Sequence, residues 1–473
     1  MIRSRGLSAA ATLGLILAAP VGAEAYPPAP VIPAPSPFHL PPVETYTLAN
    51  GLVVTLVPFG LTPKVSVQLN VDAGSLNAGH DAGLASLAAS MLKEGTASRS
   101  AVQIARAAAG MGGDLSIGSG RHQTSLYLNV LSDQAGAAIM LVGDVAIHPS
   151  FPASAFDRVK ADEARNLAVN LSQAGSIADY ALARAYYGAD HPYGNIPSTT
   201  QVGAYTIADA RRFHDANFGA RRAHLYIAGR FDTAAVKAAI VQAFGGWAAG
   251  PAKLELPPHP RPGPQVVLVD RPGAPQSTIR LTYKVPPETD PAAHRLEVMD
   301  ALLGGSFGSR ITKNIREDKG YTYSPYSYLD YRPFDGTWTM AADVTTTVTG
   351  ASFHEIFAEI RRLQDQAPGE PEAVGMRTYL TGLFVLQNST AQGIAASLAD
   401  RDFKGLPADW LDRYVPGVLA VTTAQIQDEA RKSLPVADPT VIVVGDLATV
   451  RGQLAAQPEL KDIPFTTMTV PPS

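Results

Sequence analysis

Residues 65–75, VSVQLNVDAGS, alternate apolar and polar side chains with period two, which predicts a strand. Just upstream, TYTLANGLVVTLVP places two such runs around Asn50-Gly51, the strongest short hairpin signal. The pattern then lengthens to helical spacing over 83–92 and 100–109, with Ser100 a candidate N-cap and Gly110 a candidate C-cap. Residues 112–130 are Gly-rich strand material. Helical stretches follow over 152–187 and over 206–218, the latter capped by Thr206. A strand at 223–231 and a helix begun by Asp232 close the first half.

The second half repeats this texture. TIRLTYKVPP (278–287) matches VSVQLNVDAG, each leading into a helix, and TVIVVGDL (440–447) followed by TVRGQLAA matches the close of the first half. Between the halves, GPAKLELPPHPRPGP (250–264) has the proline and glycine density of a linker. The expected organisation is a duplicated unit of about 200 residues. Mixed strands and helices with hairpin signals favour an α+β sandwich over a doubly wound parallel sheet.

The richest stretch is GGSFGSRITKNIREDKGYTYSPYSY, residues 304–328. It predicts a Gly-rich turn, a helix carrying Ile311 and Ile315, a stop at Gly320, and a Tyr-rich strand from near Tyr321. Such a helix–strand step brings Arg316 alongside Tyr323, and a guanidinium beside a phenol is a donor pair for one oxygen, such as a peptide carbonyl. Taken singly, each residue also has a plain structural role, at a helix C-terminus and in a strand.

Composition narrows the classes. With 473 residues, 46% hydrophobic and 17% charged, the chain fits a globular protein with a large core and two or more domains. A net charge of −4 leaves no basic excess for nucleic acid. The absence of cysteine excludes disulfides and thiolate metal sites. At the N-terminus, Arg3 and Arg5 precede an apolar run ending in Ala23-Glu24-Ala25, the form of a secretory signal peptide. The run is shorter than the roughly 20 residues a membrane span needs. Cleavage after Ala25 is expected, leaving a proline-rich leader at 26–43 that serves as a stiff tether or a recognition ligand.

The 304–328 stretch resembles the second-half motif of the pitrilysin/insulinase zinc peptidases, whose first half carries an inverted H-x-x-E-H helix. The resemblance covers roughly residues 44–447. It implies an α+β fold of two tandem duplicated pitrilysin-like (α/β sandwich) domains forming a half-shell, here 44–250 and 266–473 joined by a linker at 251–265. Arg316 and Tyr323 fall on the family's substrate-contact positions. The segment matching the metal helix is GLASLAASMLKEGT (83–96), where Ser86 and Ser90 occupy the histidine positions and Ala89 the general-base position. Counting back from His191-Pro192-Tyr193-Gly194 puts the family's third ligand, a Glu, near Asn166, with Asp162 and Glu163 close by.

Serine hydroxyls are poor zinc ligands and alanine takes no proton from water. No two of the ten histidines lie three to five residues apart, so no local two-histidine metal motif is present. P-loop and G-x-S-x-G patterns are absent too. The expectation is therefore a chain with no catalytic residues, metal or cofactor of its own. The resemblance implies a non-catalytic, substrate-binding subunit of a zinc metalloendopeptidase. Its homologous catalytic subunit would form the heterodimer and supply zinc, with unfolded peptides as substrate and a periplasmic setting. Residues 112–130 are a secondary candidate for binding peptide by strand addition. A stand-alone peptide-binding protein and a structural scaffold, like the family's core proteins in respiratory complexes, remain alternatives.

Overall fold

The computed structural model describes residues 38–255 and 263–470. The expected signal peptide, most of the leader and the centre of the linker lie outside the described residues. Two six-stranded sheets organise the rest. The first contains β1 (Glu44–Thr47), β2 (Val53–Pro58), β3 (Lys64–Val71), β4 (Leu115–Ser119), β5 (Thr124–Leu131) and β6 (Ala223–Gly229), in the spatial order β1-β2-β6-β3-β5-β4. The second contains β7 (Gln265–Asp270), β8 (Gln276–Val285), β9 (Tyr326–Tyr331), β10 (Gly336–Thr345), β11 (Thr440–Gly445) and β12 (Phe465–Thr467), ordered β12-β7-β11-β8-β10-β9.

The two orders correspond in five of their six strands. In both sheets a parallel pair (β2 with β6, β7 with β11) joins a run of antiparallel pairs ending in a hairpin edge strand. The segments whose texture repeats in the sequence, 65–75 with 278–287 and 223–231 with 440–447, are the equivalent strands β3 with β8 and β6 with β11. The outermost strand differs. β1 enters from the Asn50-Gly51 turn, where Gly51 sits at φ 97° and Asn50 Nδ2 donates to the carbonyls of Phe244 and Trp247. β12 comes instead from the far end of the chain and runs parallel to β7.

Caps settle the helix ends. Ser100 and Thr206 accept from backbone N–H groups three residues on and complete capping boxes, and Asp232 caps Thr233–Phe244 through Ala235. The predicted 152–187 stretch divides into Ala153–Ser172 and Ala174–Tyr187, because Gln173 takes an extended conformation. The 112–130 stretch is a hairpin, so only β4 has a free edge. The end of the leader is no free tether: Phe38 packs edge-on against Phe384, and Leu40 N–H donates to Asp412. No helix among the described residues is long and apolar enough to cross a membrane.

The central strands of each sheet are buried on both faces, and the covering on one face comes from the other half. In β6, Leu225 and Ile227 enter the first half's own core, while Tyr226 and Ala228 meet Ile394, Ala395 and Leu398 of the second half's helix Ala391–Lys404. In β11, Val441 and Val443 enter the second core, while Ile442 and Val444 meet Ile177, Ala178 and Ala181 of the first half's helix Ala174–Tyr187. Polar contacts tie each crossing, among them Arg280 Nε to Asp179 at 2.9 Å and Tyr226 Oη to Asp402 at 3.0 Å. Leu398→Ala should cost about 2–5 kcal/mol. Hydrogen exchange should then speed up in β3 and β6 as well as in the helix itself. Unchanged protection in those strands would show that the crossing does not support the sheet.

Candidate functional site

In the first half, Leu84, Ala85, Leu87, Ala88, Met91 and Leu92 turn helix Leu84–Leu92 into the core. Ala89 is buried, and Ser86 and Ser90 are half-buried, one turn apart on a single face. Helix Ala153–Ser172 lies alongside, and Ser90 Oγ donates to Glu163 Oε1 at 2.6 Å. Counting back from His191 pointed to Asn166. That residue is exposed, and Glu163, one turn earlier, is the acid that faces the helix. Asp162 points outward to Arg158 and Arg165.

Zinc needs three or four deprotonated N, S or O donors. This site offers two neutral hydroxyls and one carboxylate already engaged by one of them. The residues do not fit the metal. Among the described residues, no group of three or more His, Cys, Asp or Glu side chains could hold one.

The second half builds a different kind of site. The helix Ala293–Asp300 widens into a π-helical turn over Ala301–Gly305, and a second π-helical stretch spans Thr312–Asp318. Such widened turns are frequent at functional sites. The glycines that end the first turn, Gly304 and Gly305, close over a buried carboxylate. Asp300 accepts from Ser327 Oγ at 2.5 Å and from Trp338 Nε1 at 2.7 Å. A Cβ on Gly305 would collide with that carboxylate, and one on Gly304 with Ser327. Burial pushes the Asp300 carboxyl up to about 6, against the opposing pull of the two donors.

Ile311 and Ile315 are fully buried, as their spacing predicts, and Gly320 ends the helix at φ 66°. The strand does not begin near Tyr321. Tyr321 N–H still bonds back to Ile315, Thr322 makes a single bridge to Val344, and β9 starts after Pro325. Proline has no N–H for a ladder, which accounts for the late start.

Two arginines in this motif have opposite fates. Arg310 reaches Glu372 with two bonds of 2.7 Å and ties the turn to helix Glu370–Gln387. Arg316 makes only a 3.4 Å contact through Nε with Glu317. The structure does bring Arg316 and Tyr323 together, but by stacking: the guanidinium carbon lies 5.0 Å from the Tyr323 ring centroid. A second ring, that of Phe307, lies 4.4 Å from the same carbon. Phe307 was not singled out by spacing. Its signal was a bulky aromatic in a turn otherwise built of glycine and serine.

The wild-type chain should show no tight zinc binding by calorimetry. Ser86→His combined with Ser90→His should gain one zinc per chain, at least about 100-fold tighter, because Glu163 then supplies a third ligand. Adding Glu163→Ala should abolish the gain; retention would place the third ligand elsewhere. The buried Asp300 gives a second expectation. The folded state keeps its proton up to about pH 6, whereas an unfolded aspartate loses it near 4, so folding binds more protons in between. Stability contributed by this group therefore falls as pH rises across that window. Relative to wild type, Asp300→Asn should gain on the order of 2 kcal/mol between pH 4 and pH 7 in urea titrations. A pH-independent difference would refute the raised affinity for the proton.

Comparison with known proteins agrees with this architecture. The sequence model described as "Insulinase (Peptidase family M16)" matches residues 59–192, and the one described as "Peptidase M16 inactive domain" matches residues 204–372. A Mycobacterium bovis protein described as an uncharacterized zinc protease is 30% identical over 342 residues, covering 70% of this chain and 75% of its own. A similarly described Bacillus subtilis protein is 26% identical over 292 residues, covering 60% and 70%. Among solved structures, a peptidase M16 inactive domain from Pseudomonas fluorescens aligns with TM-score 0.80 at 23% identity, over 85% of this chain and 98% of that one. A Helicobacter pylori protease aligns with TM-score 0.79 at 18% identity, over 86% and 100%. A chain of complex III2 from Candida albicans aligns with TM-score 0.70 at 17% identity, over 87% and 99%. The chain belongs to the insulinase (M16) peptidase family, as a member in which Ser86, Ala89 and Ser90 stand in place of the H-x-x-E-H metal motif.

Proposed function

We propose that this chain is the non-catalytic, substrate-binding subunit of a heteromeric zinc peptidase that acts on unfolded peptides outside the cytoplasm. The observation that carries the reading is an asymmetry between the halves. The metal helix has no residues for metal chemistry, while the second half keeps Arg316 and Tyr323 adjacent, Tyr323 exposed and Arg316 partly so. A homologous partner with an H-x-x-E-H helix would supply the metal and the base.

The part assigned to this chain is to hold and polarise the substrate. The Arg316 Nη groups and the Tyr323 hydroxyl are donors that a peptide carbonyl can accept from. A carbonyl gaining negative charge during attack accepts more strongly, so the same contacts favour the transition state over the bound substrate. Positioning the peptide backbone also removes orientational freedom before the partner's chemistry begins. The free edge of β4 offers main-chain groups to an extended peptide, a sequence-tolerant way to add to that grip.

The test is purification of the tagged chain from its native extract, with peptide hydrolysis assayed with and without chelator beside the recombinant chain alone. Co-purification of an H-x-x-E-H homologue, with chelator-sensitive hydrolysis that the lone chain lacks, is the expected result. A solitary chain that binds peptides would support a stand-alone binding protein, and a partner assembly with no hydrolysis would support a scaffold. In the assembled enzyme, Arg316→Ala or Tyr323→Phe should lower kcat/KM by about 10²-fold while leaving assembly intact. Wild-type turnover from the double variant would sink the proposed grip.

A further inference from the structure

Phe307 sits at the tip of the Gly-rich turn with 72% of its surface exposed, and Tyr323 is 79% exposed. Core packing therefore does not explain why a phenylalanine stands in the run Gly-Gly-Ser-Phe-Gly-Ser. What the ring does is stack. The Arg316 guanidinium carbon lies 4.4 Å from its centroid and 5.0 Å from that of Tyr323, both inside cation–π range. Glu317 lies along the Nε side of the guanidinium, 3.4 Å away. Its two Nη groups have no hydrogen-bond partner among the described residues.

We infer that Phe307 is a positioning and specificity-determining residue of the peptide grip. It holds Arg316 with the Nη edge presented outward. Its outer ring face, with that of Tyr323, forms an apolar wall for the side chain next to the gripped carbonyl. The inference rests on the gripping role proposed above for Arg316 and Tyr323, and adds a substrate class to it: extended peptides with an aromatic or large aliphatic residue at that position. A free arginine has many rotamers to lose when it meets a ligand, whereas one already held against two rings has lost them beforehand. Preorganisation of this kind strengthens binding without adding a contact. The flanking supports are rigid: Arg310 pins the turn to Glu372, and Asn314 donates to Glu355 and Glu359 on helix Thr349–Asp365. Phe307 can thus keep a fixed position while remaining exposed.

The test uses the whole mature chain and two fluorescein-labelled unstructured peptides, identical except for Phe or Ala at the central position, read by anisotropy. The wild type should prefer the Phe peptide by about tenfold, given the apolar area such a ring can bury. Phe307→Ala should weaken both peptides about threefold through loss of the stack and erase most of the preference. Phe307→Tyr should restore both, a rescue that a general disturbance of the turn would not give. An unchanged thermal midpoint for Phe307→Ala is expected from the ring's exposure. Wild-type affinity and preference in Phe307→Ala would overturn the inference. Wild-type binding by Arg316→Ala, or no binding of either peptide by the wild-type chain, would remove the gripping role itself.

Discussion

A sheet whose strands are apolar on both faces must be covered on both, and this requirement shapes the whole molecule. Val441–Val444 and Val266–Val269 are unbroken apolar runs, so neither β11 nor β7 can leave a face in water. One half supplies helices enough for one face of its sheet. The other face is closed by a helix from the opposite half, and the loan is mutual. Ala174–Tyr187 and Ala391–Lys404 follow equivalent stretches of their own halves, so the exchange carries the symmetry of the duplication. Each half is completed by its neighbour, which makes the pair a single packed body in place of two beads on a linker. A further tie lies at the β9–β10 turn, where the Arg332 guanidinium rests over the rings of Tyr187 and Tyr193, and Tyr187 donates to Asp335.

This constraint marks what the sequence could disclose. Period-two runs, the Asn50-Gly51 turn and the caps at Ser100, Thr206 and Asp232 are local signals, and they gave the strands, several helix ends and the repeat. The crossing helices were hidden because helical periodicity states that a face is apolar without naming the sheet it meets. The helix break at Gln173 lacked a glycine or proline to announce it. The start of β9 was read early because tyrosines favour strands, while the hydrogen bond from Tyr321 back to Ile315 still belongs to the helix end. Counting back from His191 reaches Asn166 with Asp162 and Glu163 close by, but which acid faces Ser90 depends on the rotation of the helix, which a count does not carry. Phe307 escaped because its role depends on the approach of a guanidinium nine residues away.

The second-half motif divides its labour between groups that hold and a group that is held loosely enough to bind. Arg310 spends two hydrogen bonds on Glu372, and the glycines at 304 and 305 let the turn close over Asp300. Arg316 is treated differently. A bidentate carboxylate would consume the donors that a ligand needs, whereas aromatic faces restrain the plane of a guanidinium and leave its edge available. Stacking is therefore a way to order a cation without neutralising its hydrogen-bonding capacity.

The first-half helix shows the complementary principle, the closing of a site. Glu163 is half-buried beside the helix, and a carboxylate there needs either a cation or donors. Ser90 supplies a charge-assisted bond at 2.6 Å, short enough to count among the stronger hydrogen bonds of its kind. Ala89 is buried as a methyl group, where the family's general base would be a second acid demanding its own compensation. The three substitutions therefore act together: they remove the donors zinc requires and satisfy the one ligand-type group that stays. Such a pocket is chemically complete without metal. That completeness is why restoring metal binding should require both histidines at once, and why either one alone would still face a carboxylate engaged by, or competing with, a neighbouring side chain.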